Sequence, residues 1–393
     1  MKKRIVILGS TGSIGKATLE VIEKHSDSME VYGLACKENV ELFSAQVAKW
    51  KPKYASLFDA SREHEVFFGD AQKLGGLAGM KEMVRTDADI IVNALPGSIG
   101  LEPTLEALKN GKMVALANKE SLVMAGRLIT KLIRETPAKL IPVDSEHSAL
   151  YQLLSCNEGA EIETLFITAS GGPFREATKE ELGKVRPDAA MKHPTWKMGK
   201  KITLDSATLT NKGLEVIEAR WLFDLDHERI KVVIHPESVI HSLVEYSDGS
   251  VIAQLGNPDM RTPVAFALGY PQRIDAGVDF LDLAALGKLN FSEPDHIRFP
   301  CLELAREALR AGGSAPAALN AANEAAVSAF LESKLRFDQI PVLIGHVLAE
   351  IPVAPLRDLE DVFSTDRRAR DCAETWLARN AAVTVRHPLR VPA

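Results

Sequence analysis

The chain has 393 residues, 46% hydrophobic and 25% charged, which is typical of a globular protein with roughly two or three domains. Its 47 lysines and arginines against 53 acids give a formal charge of −6, which excludes a generally basic surface for nucleic acid or anionic lipid. Four cysteines without CxxC spacing indicate a reducing compartment. The N-terminus enters a strand almost at once, and no run is long enough to span a bilayer. We therefore expect a cytoplasmic protein in which any anionic ligand is held by a local cluster.

From Arg4 to Val143, short apolar runs alternate with amphipathic segments. The runs RIVILG, VYGLAC, YASLF, DIIVNAL, KMVALAN and KLIPVD predict strands. The segments IGKATLEVIEKH, VELFSAQVAKW, LEPTLEALKNG and SLVMAGRLITKLIRET predict helices between them. Such alternation predicts an α/β fold, with a Rossmann-like parallel sheet in a first domain at residues 1–143.

Two further domains are predicted downstream. Residues 144–290 are predicted to form an α+β domain, with a strand at IETLFITAS, a helix around GLEVIEARWLF and a hairpin whose turn is Asp248-Gly249. Residues 291–393 form a helical domain, because CLELAREALRAGG and PAALNAANEAAVSAFLES are rich in alanine and leucine. The final TVRHPLRVPA is expected to be a loose tail.

The first predicted strand is followed by GSTGSIG, with Gly9, Gly12 and Gly15 at GxxGxxG spacing. Such a turn lets the backbone approach a pyrophosphate at a helix N-terminus, which predicts a dinucleotide site. At the end of the second strand, Lys37 suits the 2′-phosphate of NADP. Glu38 resembles the acid with which NAD sites hold the ribose, so the residues favour NADP and leave NAD open.

Two acids follow the strand KLIPVD. On an extended chain Asp144 and Glu146 would point the same way, toward one hard divalent cation such as Mg²⁺ or Mn²⁺. His147 would then point away and is more often structural. Lys119, in ALANKES, leaves the same sheet edge and either faces nicotinamide and substrate or lies in solvent.

A third acid lies on a helix predicted to start near Asn211. Asn211, Lys212 and Glu215 share one face of it. Lys212 in the first turn opposes the helix dipole unless an anion is bound there, and the alternative is an ordinary capped helix with a Lys–Glu pair.

Two loops are also candidates. TASGGPF, with Ser170, Gly171 and Gly172, exposes backbone N–H groups for an oxyanion or is a plain turn. KHPTWKMGKKITLDS, with His193, Trp196 and Met198, is either a lid near residues 192–201 or a surface loop with one tucked tryptophan.

Together the motifs GSTGSIG, ANKES, PVDSEHSA, TASGGPF, HPTWKMGKKITLDSATLTNKGLEVIEA and GNPDMRTPVAFALG resemble the 1-deoxy-D-xylulose 5-phosphate reductoisomerases, in order from residue 4 past residue 330. The resemblance implies an enzyme that makes 2-C-methyl-D-erythritol 4-phosphate for the non-mevalonate isoprenoid pathway. It also implies NADPH, Mg²⁺, Mn²⁺ or Co²⁺ as cofactors, and a homodimer in the bacterial cytoplasm.

The resemblance also implies the site residues. The metal ligands are Asp144, Glu146 and Glu215, and the catalytic group adds Lys119 and His193. The substrate residues are Lys119, Ser145, Glu146, Ser170, His193, Trp196, Ser206, Asn211, Lys212 and Glu215. The cofactor residues are Thr11, Gly12, Ser13, Ile14, Lys37, Asn39, Asn118, Glu120 and Gly199. The sequence departs from the family at ACKEN, where many members are closer to AGKN.

Two other functions remain open at this point. Another NADP-dependent oxidoreductase, similar to aspartate-semialdehyde or homoserine dehydrogenase, would turn over without metal. A non-catalytic NADP-sensing scaffold would bind the cofactor without hydride transfer.

Overall fold

The computed structural model describes residues 2–157, 159–192, 196 and 198–384, and packing divides the chain into two units. The first unit comprises Met1–Leu122, Gly126–Thr168 and Ser238–Leu289, and the second comprises Val123–Ala125, Ala169–Glu237 and Asn290–Ala393. The three domains inferred from the sequence, divided after residues 143 and 290, stay a prediction.

The strands are β1 Lys3–Leu8, β2 Met29–Cys36, β3 Tyr54–Leu57, β4 Gln72–Gly75, β5 Ile90–Asn93, β6 Met113–Leu116, β7 Lys139–Pro142, β8 Ile162–Ala169, β9 Ile230–Ile234, β10 Ile240–Tyr246 and β11 Val251–Leu255. The helices are α1 Ser13–Lys24, α2 Val40–Trp50, α3 Gly76–Arg85, α4 Leu101–Lys109, α5 Lys119–Glu135, α6 Ser145–Cys156, α7 Lys179–Leu182, α8 Pro187–Ala190, α9 Lys200–Ala207, α10 Thr210–Phe223, α11 Arg261–Gly269, α12 Leu283–Leu286, α13 Cys301–Ala311, α14 Ala315–Leu331, α15 Ile340–Glu350 and α16 Leu359–Thr384.

The first unit contains the predicted parallel sheet, with seven strands in the order β4-β3-β2-β1-β5-β6-β7. Its central strand β1 is fully buried from Ile5 to Leu8, which explains the continuous apolar run. Helix α11 also packs on this core, through residues such as Val264 and Leu268. The α/β fold class is confirmed. The sequence analysis missed β4 and α3, because QKLG is short and polar and carries no strand pattern.

The strand order reverses direction beside β1, with β2 on one side and β5 on the other. In open α/β sheets this switch point creates a crevice at the carboxyl ends of the strands, where ligands bind. The glycine-rich turn follows β1 at that edge, so the fold positions the motif as a dinucleotide site requires.

In the same unit, β10 lies between β11 and β8 and runs antiparallel to both. The predicted hairpin is confirmed: Gly249 has a φ of 82°, a left-handed conformation that glycine adopts readily. Helix α6 packs against β10, and the Ser242 hydroxyl donates to the Glu146 carbonyl oxygen at 3.0 Å.

The second unit contains the predicted C-terminal helices. Helix α14 packs against α13, α15 and α16, and its alanines allow close approach of these neighbours. Arg370 of α16 donates to Glu324 of α14 at 2.6 Å and to Asp366 at 2.7 Å. The predicted loose tail falls on residues 384–393, of which 385–393 lie outside the described residues. Among the helices described, none has both the length and the apolar character needed to cross a membrane.

We predict that Gly15→Ala destabilises the protein while Gly12→Ala does not. A Cβ at Gly15 would lie 2.4 Å from the Gly9 carbonyl oxygen, whereas a Cβ at Gly12 would meet only that oxygen, at 3.4 Å. We expect Gly15→Ala to lower the free energy of unfolding by about 1–3 kcal/mol and Gly12→Ala by less than about 1 kcal/mol. Urea unfolding measures both, and equal losses would contradict the close approach at Gly15.

Candidate active site

The turn after β1 leaves a helix N-terminus open. Gly9 has a φ of 89°, and the N–H groups of Gly9 and Ser10 both donate to the Ala35 carbonyl oxygen at 2.9 Å, which ties the turn to β2. Helix α1 starts at Ser13 with Gly12, which has no side chain to cap it, as its N-cap, and no acid lies in its first turn. Thr11, Gly12, Ser13 and Ile14 are half-buried or exposed there. Unsatisfied N–H groups at a helix start favour an anion such as a pyrophosphate.

The turn after β2 holds the residues that bear on the choice between NADP and NAD. Lys37 and Glu38 form an ion pair at 2.9 Å. Asn39 caps α2, its side-chain oxygen accepting the Leu42 N–H at 3.1 Å. Arg62, which the sequence analysis did not single out, donates to the Glu38 carbonyl oxygen at 3.2 Å. Lys37 is therefore not the only cation at this turn.

Asn118 links two loops at the carboxyl edge of the sheet. Its oxygen caps α5 by accepting the Ser121 N–H at 3.1 Å. Its amide nitrogen donates to the carbonyl oxygens of Leu95 and Gly97, both at 2.8 Å, and to the Glu120 carboxylate at 2.9 Å. Asn118 therefore fixes the chain after β5 against the chain after β6, beside the switch point.

Asp144 and Glu146 do not lie on an extended chain, so that part of the sequence interpretation is wrong. Asp144 is the N-cap of α6, and its Oδ1 accepts the Glu146 N–H at 3.2 Å. Since residues 145–147 are helical, His147 turns back toward Asp144, with Nδ1 3.6 Å from the Asp144 Oδ1. The Ser145 hydroxyl donates to the Glu146 carboxylate.

Lys119 lies beside Asp144 and not in open solvent. Its ammonium donates to the Asp144 Oδ2, and the two side chains are only 10% and 15% exposed. The ends of β6 and β7, neighbours in the sheet, bring the two residues together from 25 positions apart. The first unit thus joins Lys119, Asp144, Ser145 and Glu146 into one polar cluster.

In the second unit, the loop after β8 passes against α9. A Cβ at Gly172 would lie 2.8 Å from the Ser206 carbonyl oxygen, and Gly172 has a φ of 70°. The Gly172 N–H donates to the Ser170 hydroxyl at 3.2 Å. Glycine at this position lets the loop carrying Ser170 approach the helix carrying Ser206, and both serines are half-buried.

The predicted lid segment is partly helical. Helix α9 starts at Lys200, and Gly199 before it is exposed. Asp205 anchors the helix through Lys201 at 2.8 Å and through Asn323 of α14 at 2.9 Å. Trp196 and Met198 are half-buried, and His193 lies outside the described residues.

Helix α10 carries buried polar groups instead of a simple apolar face. Glu215 is 1% exposed and accepts from the Asn211 amide at 2.5 Å and from the Lys212 ammonium at 2.7 Å. The Asn211 Oδ1 is buried and has no hydrogen-bond partner among the described residues. The second unit thus joins Asn211, Lys212 and Glu215, as the sequence spacing predicted.

The start of α10 is not an ordinary cap. Leu209, the N-cap, has a φ of 59°, a left-handed conformation that is unusual for a branched side chain. Its own side chain makes no cap hydrogen bond, and the Thr208 hydroxyl accepts the Thr210 N–H at 3.4 Å. Backbone strain of this kind is concentrated at functional sites. No signal in the sequence indicates it, because leucine is not a residue expected there.

Family models and known relatives that match this chain name the same enzyme family. A family model of 1-deoxy-D-xylulose 5-phosphate reductoisomerase matches residues 5–126, and models of the reductoisomerase C-terminal domain match residues 140–223 and 255–372. A reductoisomerase of Pseudomonas putida is 49% identical over 390 residues, which cover 96% of this chain and 98% of the relative. One from Nitrosomonas eutropha is 47% identical over 391 residues, covering 96% and 95%.

Solved structures agree with these matches. The reductoisomerase of Zymomonas mobilis in complex with NADPH has a TM-score of 0.88 at 40% identity and covers 98% of this chain and 100% of its own. A DOX-P reductoisomerase in complex with NADPH, fosmidomycin and magnesium has a TM-score of 0.89 at 40% identity, covering 96% and 98%.

We predict that Lys119→Met destabilises the protein and that Asp144→Asn partly rescues it. Methionine keeps the length of the side chain but leaves the Asp144 carboxylate without its ammonium. Breaking a buried pair costs roughly 3–5 kcal/mol, and the residual exposure of this pair should reduce that figure. Urea unfolding with chelator measures the single and double variants. Lys49→Met, which breaks an exposed pair with Glu23, is the control and should have little effect. Additive effects of the two site substitutions would contradict the coupling.

Proposed function

This chain belongs to the 1-deoxy-D-xylulose 5-phosphate reductoisomerase family, and we propose that the two polar clusters described above carry its reaction. The enzyme converts 1-deoxy-D-xylulose 5-phosphate to 2-C-methyl-D-erythritol 4-phosphate, a step of non-mevalonate isoprenoid biosynthesis, with NADPH and a divalent metal. The observation that best supports the proposed site is the set of carboxylates held by neighbouring ammonium groups, Asp144 by Lys119 and Glu215 by Lys212.

Asp144, Glu146 and Glu215 are proposed as the metal ligands. Their donor set is all oxygen, which fits Mg²⁺ and Mn²⁺, with Co²⁺ as a further option. The three carboxylates bring three negative charges, and Lys119 and Lys212 balance two of them. The remaining negative charge and the strong preference of hard cations for carboxylate oxygen both favour binding. The metal, when bound, polarises the substrate ketone and stabilises negative charge that develops on its oxygen.

Ser170, Ser206, Asn211 and Lys212 are proposed to hold the phosphate end of the substrate. The N-cap residue of α10, Leu209, makes no side-chain cap, and no acid lies in the first turn. The Lys212 ammonium, which also pairs with Glu215, lies in that turn. These are the conditions in which a helix start binds an anion. Binding energy from the phosphate, which is remote from the reacting carbons, then serves to position the substrate.

The other substrate residues are assigned by chemistry. Asn211, on the phosphate side of the substrate, has a buried Oδ1 that can accept a substrate hydroxyl. The Lys119 ammonium can donate to a substrate oxygen while it orients Asp144. Ser145 orients Glu146 through its hydroxyl. His193 and Trp196 are proposed to contact the substrate from a lid near residues 192–201, together with Met198.

Most of the proposed cofactor residues lie in turns at the carboxyl edge of the parallel sheet. Thr11, Gly12, Ser13 and Ile14 are proposed to bind the pyrophosphate at the start of α1. Lys37 and Asn39 are proposed to lie at the adenosine ribose, and Asn118, Glu120 and Gly199 at the nicotinamide end. NADPH supplies the hydride that reduces the rearranged aldehyde. Within this scheme residues 1–143 bind NADPH, 144–290 bind metal and substrate, and 291–393 form the helical domain.

A homodimer in the bacterial cytoplasm completes the proposal. Strand β11 is at one end of its strand order and exposes Val251, Ile252 and Leu255. Asn257 donates to the Asp279 carbonyl oxygen at 2.8 Å, which holds the fully exposed Phe280 near the end of β11. An apolar edge strand favours pairing with another chain, and a second copy offers the same strand. The four free cysteines are consistent with a reducing compartment.

Oxidation of NADPH with 1-deoxy-D-xylulose 5-phosphate, with and without chelator, tests the reaction and its metal ligands together. Asp144→Asn should lower turnover and weaken Mn²⁺ by at least about tenfold, with partial rescue at high metal concentration, because a ligand charge is lost. Asp226→Asn removes the charge from a similar N-cap, whose Oδ1 accepts the Glu228 N–H at 3.0 Å, and serves as the control. Unchanged metal dependence in Asp144→Asn would exclude Asp144 as a ligand. Turnover without metal would favour another NADP-dependent dehydrogenase. Cofactor binding without hydride transfer would favour a non-catalytic scaffold.

We predict that Ile252→Lys lowers the dimer affinity without unfolding the chain, because two lysines would meet at a self-complementary strand pair. Sedimentation velocity over a range of concentrations measures the change. Val342→Lys, at a half-exposed site on α15, is the matched control and should leave the association unchanged. A wild-type protein that is monomeric at micromolar concentration would contradict the proposed interface.

A further inference from the structure

The turn after β2 carries no surplus positive charge of its own. Lys37, the cation that the sequence suggests for a 2′-phosphate, pairs with Glu38 at 2.9 Å, and the side chains are 40% and 68% exposed. A bound 2′-phosphate would therefore meet an acid as well as a lysine. A second cation beside this turn would strengthen the selection of NADPH over NADH.

Arg62 supplies that cation from the neighbouring strand connection. It lies in the short helical segment Ala60–Glu65 after β3, which is parallel to β2 and next to it in the sheet. The Phe58 N–H donates to the Cys36 carbonyl oxygen at 2.9 Å, which ties the ends of the two strands together. The Arg62 Nη1 then reaches the Glu38 carbonyl oxygen at 3.2 Å. The guanidinium thus lies at the end of β2, where a dinucleotide fold holds the adenosine ribose.

The guanidinium is held in the geometry that binds a phosphate. Its Nε and Nη2 donate to the two oxygens of Glu65 at 2.8 and 2.7 Å. A planar fork of this kind matches two phosphate oxygens as well as two carboxylate oxygens. The Arg62 and Glu65 side chains are 41% and 39% exposed, and an ion pair this exposed contributes little to stability, so a dianionic phosphate can replace Glu65 or share the donors.

We propose that Arg62 is a specificity-determining residue that binds the 2′-phosphate of NADPH together with Lys37. The inference rests on the proposed function, in which NADPH is the cofactor. Without ligand the four side chains of Lys37, Glu38, Arg62 and Glu65 balance to zero charge. The negative charge of a 2′-phosphate attracts the two cations away from their acids. The 2′-hydroxyl of NADH is neutral, so the two ion pairs stay as they are.

Binding measurements without substrate and with chelator test the proposal directly. The ligands are NADPH, NADH, 2′,5′-ADP and 5′-AMP, and the variants are Arg62→Ala, Arg62→Lys and Lys37→Ala. We expect Arg62→Ala to weaken NADPH and 2′,5′-ADP by about 10- to 100-fold, as expected for hydrogen bonds to a charged group, and to leave NADH and 5′-AMP unchanged. Arg62→Lys should be intermediate, because it keeps the charge and loses the fork.

Lys73→Ala is the matched control, since Lys73 pairs with Glu63 in the same segment at 2.5 Å but belongs to the edge strand β4. It should change none of the four affinities. Equal losses for NADPH and NADH in Arg62→Ala, or no loss at all, would overturn the proposal. If Arg62→Ala does not fold, Arg62→Gln with the same four ligands decides it. Wild-type protein that binds NADPH but does not turn over the sugar phosphate would refute the proposed reaction and leave this test intact.

Discussion

Carboxylates withdrawn from water need a partner of opposite charge, and much of the candidate site depends on how this chain provides one. Asp144 is nearly covered and receives the ammonium of Lys119. Glu215 is more deeply buried and receives both Lys212 and the Asn211 amide. Each unit therefore orients its acid through a lysine of the same unit. Removing either lysine would leave a charge with poor solvation, so positioning and stability are coupled at these positions.

The second constraint is the edge of the parallel sheet. Every strand of that sheet ends on the same side, so the turns after β1, β2, β6 and β7 converge there without any long loop. Gly9 and Gly15 let the first turn pack tightly, and Asn118 joins the chain after β5 to the start of α5. In the proposed function this edge lets one dinucleotide contact several turns.

Cations also pair with acids at the turn after β2, but there the pairs are exposed to solvent. Lys37 with Glu38 and Arg62 with Glu65 are solvent-accessible pairs, which exchange partners at little cost. The buried pairs at Asp144 and Glu215 are fixed by comparison. One kind of interaction thus gives orientation where it is buried, and in our proposal it selects between ligands where it is open to solvent.

The sequence by itself determined the fold class, because short continuous apolar runs that alternate with amphipathic helices are typical of a parallel sheet covered on both faces. It also determined the glycine turn and the shared face of Asn211, Lys212 and Glu215, since both are local patterns. The tertiary structure alone decided the remainder. It corrected the extended geometry at Asp144, which caps a helix, and it paired that residue with Lys119 across 25 positions. It brought Arg62 to the turn at Glu38 and gave Leu209 its left-handed backbone. The contacts of Lys119 with Asp144 and of Arg62 with Glu38 join distant segments, and neither periodicity nor residue type carries that information. The Asp144 cap is local by contrast, and an aspartate directly before a helix is its signal in the sequence.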